Sequence, residues 1–179
     1  MTAARNIVNL ALIGFMGTGK SSVGRLVADQ LRFDFLDTDE LIETRAGQSI
    51  TEIFAQNGEP AFRELEHQLV TELATRTRTV IATGGGLPMN PANLDLLKQH
   101  ALVICLWASP DKVFERVHNQ THRPLLHQPD PRTKIRALLT AREPIYRQAD
   151  VLVNSEFRSI REVAQQVVSQ FRLATRTRR

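Results

Sequence analysis

The sequence has a single cysteine among its 179 residues, so it cannot form an internal disulfide bond. That residue, Cys105, lies in the apolar run LVICLW, which predicts a buried and unreactive thiol. A chain so poor in cysteine suits a reducing cytoplasm. No apolar run approaches the roughly 18 residues that a membrane-spanning helix requires. We therefore expect a cytoplasmic protein with no membrane partner.

The sequence also lacks the signals of nucleic-acid binding and of histidine metal ligands. It carries a net charge of +4, but basic and aromatic residues do not alternate in the way that base-stacking proteins require. Much of the positive charge lies in the terminal segment Arg172–Arg179, which we predict to be a solvated, frayed end. The histidines show no metal-ligand spacing on a helix face. We expect no nucleic-acid partner, and the absence of an extra interaction segment favours a monomer.

Apolar runs of strand length alternate with helical patterns along the chain. The runs at 7–14, 33–36, 79–83, 102–107 and 151–153 predict five strands, and the first flows into glycines rather than a signal-peptide cleavage site. A capping-box pattern at 49–52 and a glycine at 58 predict a short helix, followed by a longer one over 60–76. Such β-α-β units predict one domain, 1–179, folded as a three-layer α/β sandwich with a five-stranded parallel sheet.

The segment Gly14–Ser21 matches the pattern G-x-x-x-x-G-K-[ST] in full, between a predicted strand and a predicted helix. Glycines there let backbone N–H groups surround phosphate oxygens, and Lys20 is expected to reach the β- and γ-phosphates. The Ser21 hydroxyl is expected to bind Mg²⁺. A plain glycine-rich turn is the alternative, and a dinucleotide-binding fold fits worse because the third glycine of G-x-G-x-x-G is missing. The motif predicts a P-loop nucleotide-binding protein.

Three further features fall at the carboxyl ends of predicted strands or in loops. Asp37 and Asp39 follow the second strand, and we expect one carboxylate to face metal and phosphates and the other a substrate. The glycines at 84–86 suggest a close approach of backbone to a ligand. The irregular segment 118–131 predicts a lid, in which Arg123 supplies charge to the γ-phosphate. Arg63 and Arg142 together suit a carboxylate ligand.

Together these segments resemble the shikimate kinases. The resemblance rests on GFMGTGKSSVGRLVA, DTD, AFRELE, IATGGG, HRPLL and AREPIYRQAD, which occur in the family's order from Arg5 to about Ser159. It implies transfer of the ATP γ-phosphate to the 3-hydroxyl of shikimate, in aromatic amino-acid biosynthesis. The chain departs from the usual pattern at Ser22, where threonine is commoner, and at Ile145, where leucine is usual.

The resemblance implies a role for each matching position. The ATP-binding residues are Gly17, Thr18, Gly19, Lys20, Ser21, Ser22, Arg116, Arg123 and Arg158. Ser21 binds Mg²⁺, and Asp37 reaches it through water. Shikimate is bound by Asp39, Arg63, Gly85, Gly86 and Arg142, within a substrate region of about 37–65 and the glycine loop. Lys20, Asp39 and Arg123 are the catalytic residues.

Two alternatives remain open at the level of sequence. A small P-loop kinase acting on gluconate or on a nucleoside monophosphate would share the phosphate-binding loop, although paired arginines and DTD suit a polyhydroxy carboxylate better. A non-catalytic nucleotide-binding or nucleic-acid-binding module would use the basic surface instead. ADP release with shikimate, gluconate and nucleotides separates a shikimate kinase from the other kinases. Salt-sensitive nucleic-acid binding without ATP hydrolysis would favour the non-catalytic module.

Overall fold

A computed structural model describes residues 5–118 and 130–176 of the chain. Its five strands are β1 (Asn9–Ile13), β2 (Asp34–Asp37), β3 (Thr79–Ala82), β4 (Ala101–Trp107) and β5 (Val151–Asn154). They form one sheet in the order β2-β3-β1-β4-β5, and every neighbouring pair is parallel. The predicted five-stranded parallel sheet is therefore confirmed, with strand ends shifted by one or two residues.

Helices pack on both faces of this sheet. They are α1 (Lys20–Leu31), α2 (Thr38–Ala46), α3 (Ile50–Leu73), α4 (Pro91–His100), α5 (Pro110–Val117), α6 (Pro131–Tyr146) and α7 (Ile160–Arg176), with a short 3-10 helix at Leu87–Met89. No helix in the described part of the chain is long and apolar enough to cross a membrane.

The apolar character of β1 follows from its central position. Leu10 and Leu12 pack with helices α1 and α7 in one core, whereas Ala11 and Ile13 pack with α3, α4 and α6 in the other. Because successive strand residues point to opposite faces, a strand covered on both sides needs an apolar residue at every position. Cys105 of β4 lies in the second of these cores, fully buried, and burial raises the pKa of its thiol to about 12. The predicted buried thiol is confirmed.

Local signals in the sequence set most helix boundaries. Ser49 and Glu52 form the predicted capping box at the start of α3, and the helix is interrupted at Gly58, where φ is +80°. Ser109 caps α5, with Pro110 at its first position. The prediction of a frayed end from Arg172 was wrong as far as Arg176, because α7 continues to that residue. Residues 177–179 lie outside the described part.

A buried polar group joins several elements at the amino-terminal edge of the sheet. The fully buried Asn9 donates from Nδ2 to the carbonyl of Arg76 at 2.7 Å and contacts Nδ1 of His100 at 2.9 Å. Its Oδ1 accepts the N–H of Thr79 at 2.9 Å. Burial lowers the pKa of His100, whose ring is therefore neutral near pH 7.

At the opposite edge, the carboxyl ends of β2, β3 and β1 are neighbours. The segment after β1 is Gly14–Ser21, the residues after β2 are Thr38 and Asp39, and the glycines at 84–86 follow β3. In open parallel sheets, ligands bind beyond the carboxyl ends of the strands. The sheet order therefore brings the three segments that the sequence singled out to one edge.

Candidate functional site

The loop between β1 and α1 has the backbone of a phosphate-binding loop. Gly14, Gly17 and Gly19 all have positive φ angles, of +134°, +73° and +95°. A Cβ at Gly14 would lie 2.3 Å from the carbonyl oxygen of Leu106, and one at Gly17 would lie 2.6 Å from Cγ1 of Val117. Both sterics and backbone conformation therefore require glycine. The first N–H groups of α1 open onto the loop, where they favour an anion.

Two side chains of this loop are held by specific contacts. The Lys20 ammonium donates to the carbonyls of Gly14 and Phe15, each at 2.9 Å. The Ser21 hydroxyl donates to Oδ2 of Asp37 at 2.6 Å, which brings two oxygen ligands together beside the loop. No group of three or more His, Cys, Asp or Glu residues suited to a metal occurs in the described residues. Mg²⁺ commonly binds one or two protein oxygens together with substrate phosphates and water, so this pair fits it.

The carboxylates of Asp37 and Asp39 are separated in a different way from the one we expected. Residues two apart in a strand share a face, so an extended chain would not separate them. Asp37 ends β2 and caps α2, with Oδ1 accepting the N–H of Asp39 at 3.1 Å. Asp39 already lies in the first turn of α2, where its carboxylate lies beside Gly84 of the glycine loop. The start of a helix, rather than strand alternation, separates the two carboxylates.

The three glycines of the loop after β3 have different reasons to be glycine. A Cβ at Gly84 would lie 2.3 Å from Oδ1 of Asp39, and one at Gly86 would lie 2.7 Å from Nη1 of Arg63. A Cβ at Gly85 would meet nothing closer than 3.5 Å. Gly84 and Gly86 therefore make room for the two charged side chains, a role that the sequence-based interpretation missed. The backbone at Gly85 is left to line the cleft.

Arg63 is held in place by two carboxylates of its own helix. Nη1 donates to Oε2 of Glu66 at 2.7 Å, and Nη2 and Nε donate to Oε1 of Glu59 at 2.7 and 3.1 Å. Glu66 is 1% exposed, and this burial raises its pKa to about 7 although Arg63 opposes the shift. Glu66 was not assigned a role from the sequence. Glu66 lies four residues after the buried Phe62 and three before the buried Leu69, so it falls on the buried face of the helix. A charged residue at such a position indicates that it is paired with another group.

Helix α6 reaches the same glycine loop from another side. The hydroxyl of the fully buried Tyr146 donates to the carbonyl of Gly85 at 2.7 Å. Nη1 of Arg142, one turn earlier, approaches the same oxygen at 3.5 Å, and its guanidinium lies over the ring of Phe15 at 5.5 Å. Arg63 and Arg142 therefore contact neighbouring glycines of one loop, although they come from helices about 80 residues apart in sequence. The structure brings together the two arginines that the sequence could not show to converge.

The phosphate-binding loop, the two aspartates and Gly85 line a cleft of about 310 Å³. Its lining comprises Met16, Gly17, Gly19, Lys20, Ser21, Ser22, Asp37, Asp39, Thr83, Gly85 and Arg116. A second cleft of about 280 Å³ adjoins it beyond the phosphate-binding loop, lined by Gly17, Thr18, Gly19, Val23, Arg116, Ser155, Arg158, Ile160 and Val163. Together the two offer space for an elongated ligand that passes the loop.

Arg116 borders both clefts and joins their walls. Its Nη1 donates to the carbonyl of Gly17 at 3.1 Å and to the hydroxyl of Ser155 at 3.3 Å. Arg158 lines the second cleft and donates to Oε1 of Gln166. Arg116 therefore lies between the two clefts, and Arg158 lines the cleft that lacks Asp39. Arg123 and nearly all of the predicted lid, 118–131, lie outside the described residues.

The chain is similar in sequence to known enzymes. A family model described as shikimate kinase matches residues 16–172. A relative from Thermodesulfovibrio yellowstonii, named shikimate kinase, is 44% identical over 163 residues, which cover 91% of this chain and 94% of the relative. A shikimate kinase from Cupriavidus pinatubonensis is 40% identical over 93% of this chain and 87% of its own length.

Solved structures agree with these matches. A shikimate kinase from Acinetobacter baumannii, solved in complex with shikimate, superposes with a TM-score of 0.88 at 35% identity, over 98% of this chain and 97% of the other. A gluconokinase from Sinorhizobium meliloti superposes with a TM-score of 0.61 at 19% identity, over 97% of both chains. The second match, at this low identity, supports the fold alone.

Proposed function

The chain belongs to the shikimate kinase family, whose members phosphorylate shikimate with ATP, and on that premise we propose how its residues perform this reaction. The γ-phosphoryl group of ATP passes to the 3-hydroxyl of shikimate, giving shikimate 3-phosphate and ADP. One observation carries the proposal. A phosphate-binding loop, a carboxylate and two arginines lie around one glycine loop, which joins a phosphate donor site to a site for a hydroxylated carboxylate.

The phosphates of ATP bind at the loop Gly14–Ser21. Residues 17–22 supply backbone N–H groups and hydroxyls, and the amino terminus of α1 adds its positive potential. Lys20 already neighbours two carbonyl oxygens of the loop, so phosphate oxygens can replace these acceptors with little movement. Arg116 and Arg158 flank the second cleft, where we place the adenine ring. Arg123 of the lid completes the charge at the γ-phosphate.

Ser21 and Asp37 would hold Mg²⁺ beside the ATP phosphates. Both side chains offer oxygen, and they already lie within 2.6 Å of each other. Ser21 would bind the ion directly, and Asp37 would reach it through water. When bound, Mg²⁺ supplies positive charge that neutralises the phosphate oxygens as the γ-phosphoryl group transfers.

Shikimate binds between the glycine loop and Asp39. The guanidinium groups of Arg63 and Arg142 hold its carboxylate, for which their planar donor pairs are well matched. The backbone of Gly85 and Gly86 adds further contacts. Asp39 accepts a hydrogen bond from the 3-hydroxyl and orients its oxygen toward the γ-phosphorus.

The transfer step exchanges one P–O bond for another. The 3-hydroxyl oxygen forms a bond to the γ-phosphorus while the bond to the β–γ bridging oxygen breaks, and ADP leaves with that electron pair. The hydroxyl proton passes to Asp39. Positioning and charge neutralisation supply most of the rate acceleration in such reactions.

A panel of acceptors tests the proposal directly. ADP release is followed with shikimate, gluconate and nucleoside monophosphates, each with and without Mg²⁺. Among these acceptors, we expect turnover only with shikimate, and only when Mg²⁺ is present. Turnover with gluconate but not shikimate would refute the assignment of the acceptor.

Two variants test the two halves of the site. Lys20→Ala is expected to abolish turnover, because no other side chain of the loop carries positive charge to the phosphates. Arg63→Ala is expected to raise the KM for shikimate and leave the KM for ATP unchanged. Near-normal activity of the first variant, or an effect of the second on ATP alone, would contradict these roles.

We also propose that the protein acts as a cytoplasmic monomer of one domain, without nucleic-acid or membrane partners. The basic surface supports the rival interpretation as a nucleic-acid-binding module. Light scattering at micromolar concentration measures the mass in solution, and a DNA or RNA titration at low and high salt measures nucleic-acid binding. A dimer would refute the monomer, and salt-sensitive nucleic-acid binding without ATP turnover would favour the rival.

A further inference from the structure

The backbone groups of the glycine loop divide into satisfied and available ones. The N–H of Gly84 donates to the Thr38 hydroxyl at 2.9 Å, and its carbonyl accepts the N–H of Leu87 at 3.2 Å. The carbonyls of Gly85 and Gly86 are bonded as well. Among residues 5–118 and 130–176, no group accepts a hydrogen bond from the N–H of Gly85 or Gly86. Backbone N–H groups need a hydrogen-bond acceptor, so a ligand or water must accept from these two.

The direction of one of these donors depends on Tyr146. The peptide between Gly85 and Gly86 is trans, so its carbonyl and its N–H point in opposite directions. The carbonyl points toward α6, where the Tyr146 hydroxyl donates to it at 2.7 Å. The N–H of Gly86 therefore points away from α6. A glycine on either side of a peptide leaves it few steric restraints, so an external bond must fix its orientation.

The contact of Tyr146 is built to persist. The side chain is fully buried, and its ring packs in the same core as Phe15 and Leu87. Burial raises the pKa of its phenol to about 12, so the hydroxyl stays a donor throughout the working range of pH. Arg142 approaches the same carbonyl at 3.5 Å, too long and weak a contact to replace it.

We propose that Tyr146 is a positioning residue for the acceptor site, and that its hydroxyl sets the Gly85–Gly86 peptide so that the Gly86 N–H meets an oxygen of shikimate. Tyr146 touches neither substrate. It acts through the carbonyl of Gly85, and this role rests on the proposed assignment of shikimate to the glycine loop. Without the hydroxyl, the peptide rotates between orientations and the donor is correctly aimed for only part of the time.

The variant Tyr146→Phe removes the hydroxyl and keeps the ring in the core. We expect the KM for shikimate to rise about three- to tenfold, the range expected for the loss of one neutral hydrogen bond. The KM for ATP is expected to stay within about twofold of the wild-type value, because the phosphate-binding loop keeps its own contacts. In amide NMR spectra, we expect added shikimate to shift the Gly86 N–H signal of the wild-type protein, and we expect a smaller shift in the variant.

A matched variant separates positioning from simple loss of stability. Ile135→Val trims a fully buried side chain of the same helix, three turns before Tyr146, and lowers stability without touching the loop. Its two KM values are expected to match those of the wild type. A Tyr146→Phe enzyme with an unchanged KM for shikimate and an unchanged Gly86 shift would overturn this inference alone. A wild-type protein without shikimate turnover would overturn the proposed function as well.

Discussion

The clash predicted at Gly86 offers a sharp test of the acceptor site. In Gly86→Ala, the new methyl group would lie 2.7 Å from Nη1, 2.8 Å from Nη2 and 3.0 Å from Cζ of Arg63. The φ angle at this position is −93°, which alanine adopts without strain. The backbone therefore tolerates the change, and its effect must pass through the guanidinium of Arg63.

The required movement sets the size of the effect. Carbon and nitrogen atoms that are not bonded to each other approach to about 3.5 Å, so the guanidinium must retreat by roughly 0.8 Å. It cannot retreat freely, because Glu66 and Glu59 hold it through bonds of 2.7 Å. A misplacement of about 1 Å at a substrate-positioning group costs up to about 100-fold in activity. We expect the KM for shikimate to rise about ten- to a hundredfold, with the KM for ATP within about twofold of wild type.

The neighbouring glycines supply the controls for this experiment. A Cβ at Gly85 would lie no closer than 3.5 Å to its nearest neighbours, so we expect the melting temperature of Gly85→Ala to match that of the wild type. Gly84→Ala pushes on Asp39 at 2.3 Å and should lower kcat as well as shikimate affinity. Coupled ADP-release kinetics and thermal unfolding of the three variants provide the readouts. A wild-type KM for shikimate in Gly86→Ala would refute the reasoning, as would a crystal structure of the variant with Arg63 unmoved.

Three further predictions concern charge. Asn caps helices as well as Asp does, so Asp37→Asn should keep the cap of α2 and an unchanged melting temperature. Because the variant lacks the carboxylate, the Mg²⁺ concentration for half-maximal activity should rise severalfold. Equal Mg²⁺ titrations of variant and wild type would contradict this. Burial raises the pKa of Glu66 from 4.5 to about 7, so the folded protein binds this proton more tightly than the unfolded chain does. The resulting stabilisation is fully present below pH 4.5 and is lost as pH rises through 7. Denaturant unfolding should therefore show wild type losing up to about 3 kcal/mol relative to Glu66→Gln over that interval, and parallel pH profiles would refute it. The pKa of His100 is lowered, so wild type should lose stability as pH falls below about 6.5, a loss that His100→Gln should not share.

Sequence alone predicts the scaffold because its signals are local. The strand run before Gly14, the loop itself and the helix after Lys20 follow from backbone chemistry that leaves few alternatives. The parallel sheet follows from the alternation of strands and helices. The placement of Asp37 and Asp39 beside the loop also follows, because consecutive strand ends share an edge.

What the sequence could not supply are contacts between distant segments. The reasons for Gly84 and Gly86 lie in side chains more than 20 residues earlier, and the bond from Tyr146 to Gly85 spans 61 residues. No periodicity encodes these pairings. Glu66 is the exception, because a charged residue on the buried stripe of a helix is visible in the sequence and indicates a buried partner.

Asn9 at the amino-terminal edge of the sheet also bears on how the protein opens. One side chain bonds residues that follow it by 67, 70 and 91 positions, and it is fully sealed from water. The Thr79 amide, which donates to it, can meet solvent only when β1, β3 and α4 separate together. Its hydrogen-exchange rate should therefore report the free energy of global unfolding. Amides of the glycine loop should exchange far sooner, so the part of the molecule that handles substrate is free to move while this edge stays closed.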